Sequence, residues 1–356
     1  MAAPADYWDT VDLKALLAGG LVNEDVMQQI HNIAEIPLPL TDRLSSGSVR
    51  NSYTEWTEDT LAAPSLANAV VSGSDAGANT ASGGTRLGNH CQNSQKTLMV
   101  TERAQATDQI GRGDELAYQL MQRQSECRRD VEAIALSEQA SVADDNNTTA
   151  GKSAGLSAYL KSNTSNGTGS GANGGFNTTT KVIAAANPGN SRAGSYAALK
   201  TLVESVYLNN GNVTVLMSIP QLTRRLGEFM LGSPTTAKIA VPTANVGGSG
   251  AGVNQTAQGY IDVLITDFGT SLQIVPNRLQ QQYASTDASP VQVGTLYLID
   301  TAQLDLAYLK GYTTQPLAKL GLSERAQISV DWTLRVFVEK AHAAYRSLLP
   351  GSAWGA

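Results

Sequence analysis

The stretch Gln327–Glu339, within "QISVDWTLRVFVEK", constrains the fold more than any other part of the chain. Ile328, Val330, Trp332, Leu334, Val336 and Val338 alternate with Ser329, Asp331, Thr333, Arg335, Phe337 and Glu339. Successive side chains of a strand point to opposite faces, so the alternation predicts a long strand with one fully apolar face. That face needs a cover from elsewhere in the sequence.

A helix is the natural cover. From Asp114, "DELAYQLMQRQSECRRDVEAIALSEQA" puts Leu116, Leu120, Cys127, Val131 and Ile134 on one stripe at helical spacing, with Asp114 as N-cap. The pattern predicts a single helix over 114–140, about 27 residues and roughly 40 Å long. Laid on the strand, it joins two distant segments into one α+β layer, with Leu116, Leu120, Val131, Val330, Trp332, Leu334 and Val336 as candidate core. The other helix faces carry Arg123, Glu126, Arg128, Arg129, Asp130 and Glu132. Two readings of these charges are open: a solvated face with i,i+4 pairs such as Arg128 with Glu132, or a contact face for a neighbouring subunit.

Composition divides the remainder. Residues 1–46 mix short helical patterns with the proline-blocked "IPLPLTDRL" and read as an arm that lies on something else. Residues 47–101 place two strand-like ends, "NSYTEWTEDTLAAP" and "SQKTLMVTE", around a glycine-, serine- and alanine-rich insert. This predicts a projecting hairpin too poor in large apolar groups to stand alone. Residues 144–192 are low-complexity, and many of the 33 glycines fall in such stretches. Beyond them come an amphipathic helix with Leu199, Leu202, Val203 and Val206, the strand "VTVLMS", and a helix with Pro220 in its first turn. Together these suggest a compact α/β unit.

"GYIDVLITDFGTSLQIVP" contains Asp267-Phe268-Gly269, the magnesium-binding turn of protein kinases. A kinase also needs an upstream His-Arg-Asp loop, and the chain has only His31, His90 and His342. The motif therefore reads as a hairpin tip in which Gly269 supplies a positive φ. A formal Gly-x-Gly-x-x-Gly at Gly169, Gly171 and Gly174 lacks the preceding buried strand and following helix that phosphate binding requires. Cys91 and Cys127 form no metal-ligand pair and are expected as reduced thiols in a cytoplasmic protein. His31 with Glu35 reads as polar helix surface, and His90 beside Cys91 makes no site. His342 is expected to cap the solvated side of the long strand. The acidic pairs Glu58-Asp59 and Asp144-Asp145 read as solvated loops. No catalytic residue, cofactor or metal is expected. A net charge of −6 disfavours a protein that grips nucleic acid through its phosphates, and no window has the roughly 18 apolar residues of a membrane span.

In this order, "DLKALLAGGLVNEDVMQQIHNIAEIPLPLTDRL", "EWTEDTLAAP", "GRGDELAYQLMQRQSECRRDVE", "TDFGTSLQIVPNR" and "LYLIDTAQLDLAYLKGYTTQPLAKLGLSERAQISVDWTLRVFVEKAHA" resemble major capsid proteins of tailed double-stranded DNA bacteriophages, of the Johnson (Hong Kong phage) fold. The likeness covers about 13–140 and 195–344. The resemblance implies an N-terminal arm (1–46), an extended hairpin loop (47–101), and a peripheral domain with the spine helix and long strand (102–150 and 295–348). It further implies an axial domain holding the low-complexity insert (151–294) and a C-terminal tail (349–356).

It also implies hexamers and pentamers of the chain in an icosahedral virion shell, assembled in the host cytoplasm around double-stranded DNA that is not bound by sequence. The expected partners are a separate scaffolding protein, a portal and a cement or decoration protein. Expected intersubunit contacts are Trp56, Glu58, Arg123, Arg128, Arg129 and Glu132, with Trp332 in the core. A cellular nanocompartment shell of the same fold and a soluble enzyme are the alternatives. Enclosed cargo separates the first, and a nucleotide- or metal-binding monomer the second.

Overall fold

The computed structural model describes residues 38–75, 77, 83–109, 113–145, 147–169, 171–232 and 263–355. His31, Glu35, most of the expected arm and the glycine-rich stretch before the Asp-Phe-Gly turn lie outside these residues. The first half contains β1 (Ser45–Ser48), β2 (Tyr53–Glu58), β3 (Thr85–His90), β4 (Gln92–Thr101), α1 (Glu102–Ala106) and α2 (Glu115–Ala135). Then come α3 (Leu156–Tyr159), β5 (Thr164–Ser165), β6 (Gly175–Phe176), β7 (Ile183–Ala184), α4 (Tyr196–Leu208), β8 (Val215–Ser218) and α5 (Pro220–Gly232). The last part holds β9 (Val263–Ile265), β10 (Ser271–Pro276), β11 (Tyr283–Ala284), β12 (Gln292–Ile299), β13 (Leu304–Leu317), β14 (Ser323–Val336) and β15 (Ala343–Leu348).

Two sheets organise these elements. One runs β1-β13-β14-β4; the other runs β5-β15-β12-β8-β10-β9, with β11 on β12. Alternation along β14 buries Ala326, Ile328, Val330, Trp332, Leu334 and Val336, and α2 covers much of that face through Cys127 and Val131. Leu116 and Leu120 are partly buried against Leu98, Val100 and Ala326. β14 ends at Val336 and does not continue to Glu339, because its partner β13 begins at Leu304, opposite Val336. The freed Glu339 carboxylate instead accepts the backbone N–H groups of Lys161 and Ser162 at 2.6 and 2.7 Å.

The spine helix is also shorter than its pattern predicts: 21 residues, about 31 Å. Asp114 caps it by accepting the Ala117 N–H at 3.0 Å. Its end is taken over by the second sheet. Tyr297 Oη donates to Leu136 O at 2.9 Å, and the Glu138 N–H donates to Tyr283 Oη at 2.9 Å. Leu136 therefore leaves helical geometry and the chain turns into the joint between the sheets.

β12 and β15 belong to the sheet of β8 and β10, so the expected boundary at 294/295 does not follow the sheets. Helices α4 and α5 pack on this second sheet around Leu216, Leu272, Leu296 and Leu298. The C-terminal residues close the same core. Trp354 is buried edge-on to Tyr345, and the Gly355 N–H donates to Gly194 O at 2.8 Å.

The low-complexity segment departs furthest from expectation. Leu156, Ser157, Ala158 and Tyr159 of α3 are all buried, and β5 pairs in parallel with β15. Several glycines here are sites of close backbone approach. A Cβ at Gly155 would overlap Ser137 O, at Gly167 Asn190 O, and at Gly174 Ala158 O. The segment is organised by Arg346 of β15, which is completely buried. Its guanidinium donates to Ser157 Oγ (3.0 Å), Ser157 O (2.6 Å), Leu160 O (3.1 Å), Asn166 Oδ1 (2.8 Å) and Asn173 Oδ1 (3.2 Å). Five oxygens replace the water that a buried cation loses. Arg346→Met removes all five donors and is expected to cost roughly 3–5 kcal/mol in denaturant unfolding, with proteolysis opening first within 155–175. Unchanged unfolding would show that the segment is held by packing alone.

Candidate intersubunit surface

The β2–β3 hairpin is seated on the body at its base and bare beyond it. Asn89 is completely buried: its Nδ2 donates to Leu334 O at 2.8 Å and to Ser153 Oγ at 3.1 Å, while its Oδ1 accepts the Ala154 N–H at 3.0 Å. Tyr159 Oη donates to Gly88 O at 2.9 Å. Trp56 Nε1 donates to Val336 O at 3.0 Å, with its ring 6.1 Å from Tyr159 and edge-on to Phe337. These contacts give Trp56 a role within its own chain that the sequence did not announce. Its indole fastens the hairpin to its own chain.

The hairpin then runs into Thr60–Ser74, "TLAAPSLANAVVSGS", without a charged residue. Leu61, Leu66, Val70 and Val71 are each at least 80% exposed. Two other extremities carry exposed apolar groups. Leu320 and Leu322 lie at the β13–β14 turn with Met99 close by, and Ile265 and Phe268 lie at the β9–β10 turn beside Tyr207. Scattered single apolar residues are ordinary on a surface, but a fully exposed run such as this is a candidate contact.

The remaining expected contact residues divide. Glu132 is completely buried and bonded within the chain, so it is neither a surface contact nor the partner of Arg128. The helical pattern placed it with the charges, but donors from Leu40, Thr41 and Asn277 converge on that side of α2. Arg128 instead lies 3.5 Å from Asp42, and Arg123 pairs with Glu126 at 2.6 Å. Arg129 is exposed. Glu58 ends β2, where burial and then the neighbouring Glu339 raise its pKa, partly offset by Lys340. Arg128 and Arg129 remain on the accessible side of α2, and exposed pairs of this kind contribute little to subunit stability.

Possible chemical sites resolve into structure. Gly269 has φ +80° at the β9–β10 turn; Asp267 pairs with Lys200 at 2.8 Å, and Phe268 stacks on Tyr207 at 4.8 Å. Gly174 is followed by β6 rather than a helix, so the glycine motif has no amide cradle for phosphate. Asp145 accepts the N–H groups of Thr149, Thr148 and Asn147, which hold its carboxyl well below the usual range. His90 tilts against Tyr53 at 4.6 Å, and burial lowers its pKa. His342 is not at a solvated edge. It is completely buried, accepts the Asp300 N–H through Nδ1 at 3.2 Å, and burial pushes its pKa down to about 4. Among the described residues no group of three or more His, Cys, Asp or Glu is arranged to hold a metal.

The SU10 major capsid protein profile matches residues 9–349 of the 356. The chain belongs to the SU10 major capsid protein family. This is a family of structural capsid proteins. A major capsid protein of Escherichia phage Phieco32 is 34% identical over 102 residues, and the match spans 29% of each protein. The capsid of a native GTA particle matches with a TM-score of 0.56 at 12% identity, over 94% of this chain and 99% of that one. The capsid protein of cyanophage P-SCSP1u matches with a TM-score of 0.55 at 11% identity, over 96% and 99% of the two chains. A chain from Gordonia phage Cozz gives 0.52 at 13% identity, over 97% of each. At these identities the likeness shows the fold, which is the Johnson fold of phage capsids.

One titration is built into the joint of this capsid protein. Glu138 is buried, its Oε1 has no hydrogen-bond partner, and burial pushes its pKa from 4.5 up to about 7 despite nearby Arg346. The folded state therefore holds this proton more tightly than the unfolded chain. Stability falls as pH rises from about 4.5 to 7, by roughly 3 kcal/mol in total, and the loss is complete above that window. Glu138→Gln is expected to remove this loss, so its advantage over wild type in denaturant unfolding grows between pH 5 and 7 and is constant above pH 8. A pH-independent difference would show that Glu138 is ionised throughout.

Proposed function

We propose that this chain is the repeating subunit of a closed icosahedral phage head, assembling as hexamers and pentamers around packaged double-stranded DNA. The observation that carries the reading is the uncharged segment Thr60–Ser74. Its four large apolar side chains find no cover among the described residues of their own subunit, on an arm whose base is firmly seated. Burying each such side chain is worth about 1.5–3 kcal/mol, and closed symmetry repeats the gain in every copy. Family membership and the capsid fold support the same conclusion. A net charge of −6 suits a container that must admit DNA without holding it. Family membership also supports partners at defined places: a scaffolding protein during assembly, a portal, and a cement or decoration protein outside.

Because Trp56 serves its own chain, the segment beyond it is the better test. Leu66→Asp and Val70→Asp are expected to leave the unfolding midpoint of the subunit within about 1 °C, since neither side chain is buried in it. Both variants should abolish shells and isolated hexamers or pentamers, scored by electron microscopy and sedimentation with and without scaffold. Normal shells from both variants would remove the arm from the assembly contact.

A further inference from the structure

Glu132 is completely buried near the end of α2, and its carboxylate accepts four hydrogen bonds. Oε1 accepts the Leu40 N–H at 2.8 Å and the Asn277 Nδ2–H at 2.7 Å. Oε2 accepts the Thr41 N–H at 2.7 Å and the Thr41 hydroxyl. A carboxylate offers about four acceptor positions, so this one is filled.

The donors come from two separate parts of the fold. Leu40 and Thr41 begin the short 3-10 turn Thr41–Arg43, and their amides would otherwise be unsatisfied. Asn277 follows β10 on the second sheet and is itself fixed. Its N–H donates to Ser218 O at 2.8 Å, and its Oδ1 accepts the Leu279 N–H at 2.8 Å. Both segments thus share one buried acceptor on the helix that covers the first sheet.

We propose that Glu132 is a positioning residue that couples the 3-10 turn at residues 40–43 to the second sheet, so that the two are held and released together. No cation lies in hydrogen-bond contact with the carboxylate among the bonds described, so its buried charge depends on the full donor set. Losing one donor leaves the charge less well compensated and weakens the hold on the others. A hydrogen-bond network in a dry site is cooperative in this sense. The coupling is a property of the folded subunit and stands apart from whether that subunit builds a shell.

Amide hydrogen exchange on the full-length subunit tests it. Asn277→Ala is expected to raise exchange at the Leu40 and Thr41 amides by about tenfold, although Asn277 is bonded to neither. Thr41→Val is expected to raise exchange across 277–280 comparably, with β12 and β15 unchanged. Glu132→Gln turns one acceptor into a donor facing donors and is expected to release both segments together. Unchanged protection at Leu40 and Thr41 in Asn277→Ala would overturn the proposal, because the bonds would then be independent. Release of only one segment in Glu132→Gln would overturn it too. If Glu132→Gln fails to fold, the two single-donor variants still decide.

Discussion

Six apolar side chains on one face of β14 require a cover, and much of the architecture follows from how that cover is made. Helix α2 supplies most of it, so a segment near residue 130 is fixed against one near residue 330. The end of the helix reaches the second sheet, where Tyr297 and Tyr283 take up the polar groups of the chain as it leaves the last turn. The two sheets share one continuous core through Leu136, Tyr297 and Leu160. Both lobes are held by the same helix, and its final turns form the joint.

The elements legible in the sequence were those with a period. Alternation along β14 and the stripe along α2 report burial directly, because a side chain's face follows from its position. The Asp-Phe-Gly turn was legible by elimination, and the structure uses Gly269 for its positive φ. Ends of elements were less legible. β14 stops where β13 begins, and α2 stops where tyrosines of β11 and β12 reach it; neither partner is near in sequence.

The low-complexity segment shows a different limit. Glycine-rich composition describes a free linker and a close-packed backbone equally well, and only the neighbours distinguish them. Here the neighbour is Arg346, which looks like an ordinary surface arginine in "AAYRSLL". Glu132 was hidden for the same reason. A helical pattern sorts residues by polarity, and a carboxylate satisfied by backbone amides is sorted with the solvated charges. His342 was misplaced in turn, because nothing local shows that its ring is buried against the Asp300 N–H, distant in sequence. Of the expected contact surface, the hairpin was legible from its poverty in core residues. The division of labour between Trp56, which seats it, and the bare segment beyond was not.

That division separates the contacts that hold the body of the subunit from the surface left for partners. Buried polar anchors such as Asn89, Arg346 and Glu132 are costly to break singly, and they hold the body in one arrangement. Among the described residues most of the exposed large apolar side chains lie at extremities: the hairpin arm, the β13–β14 turn and the β9–β10 turn. Contacts confined to tips can be made and remade while the body keeps its fold. A closed shell needs this, since the same subunit must meet its neighbours in more than one local arrangement. A chain that spread the same apolar area over its body would aggregate without register, whereas tips on a rigid frame restrict association to geometries that close.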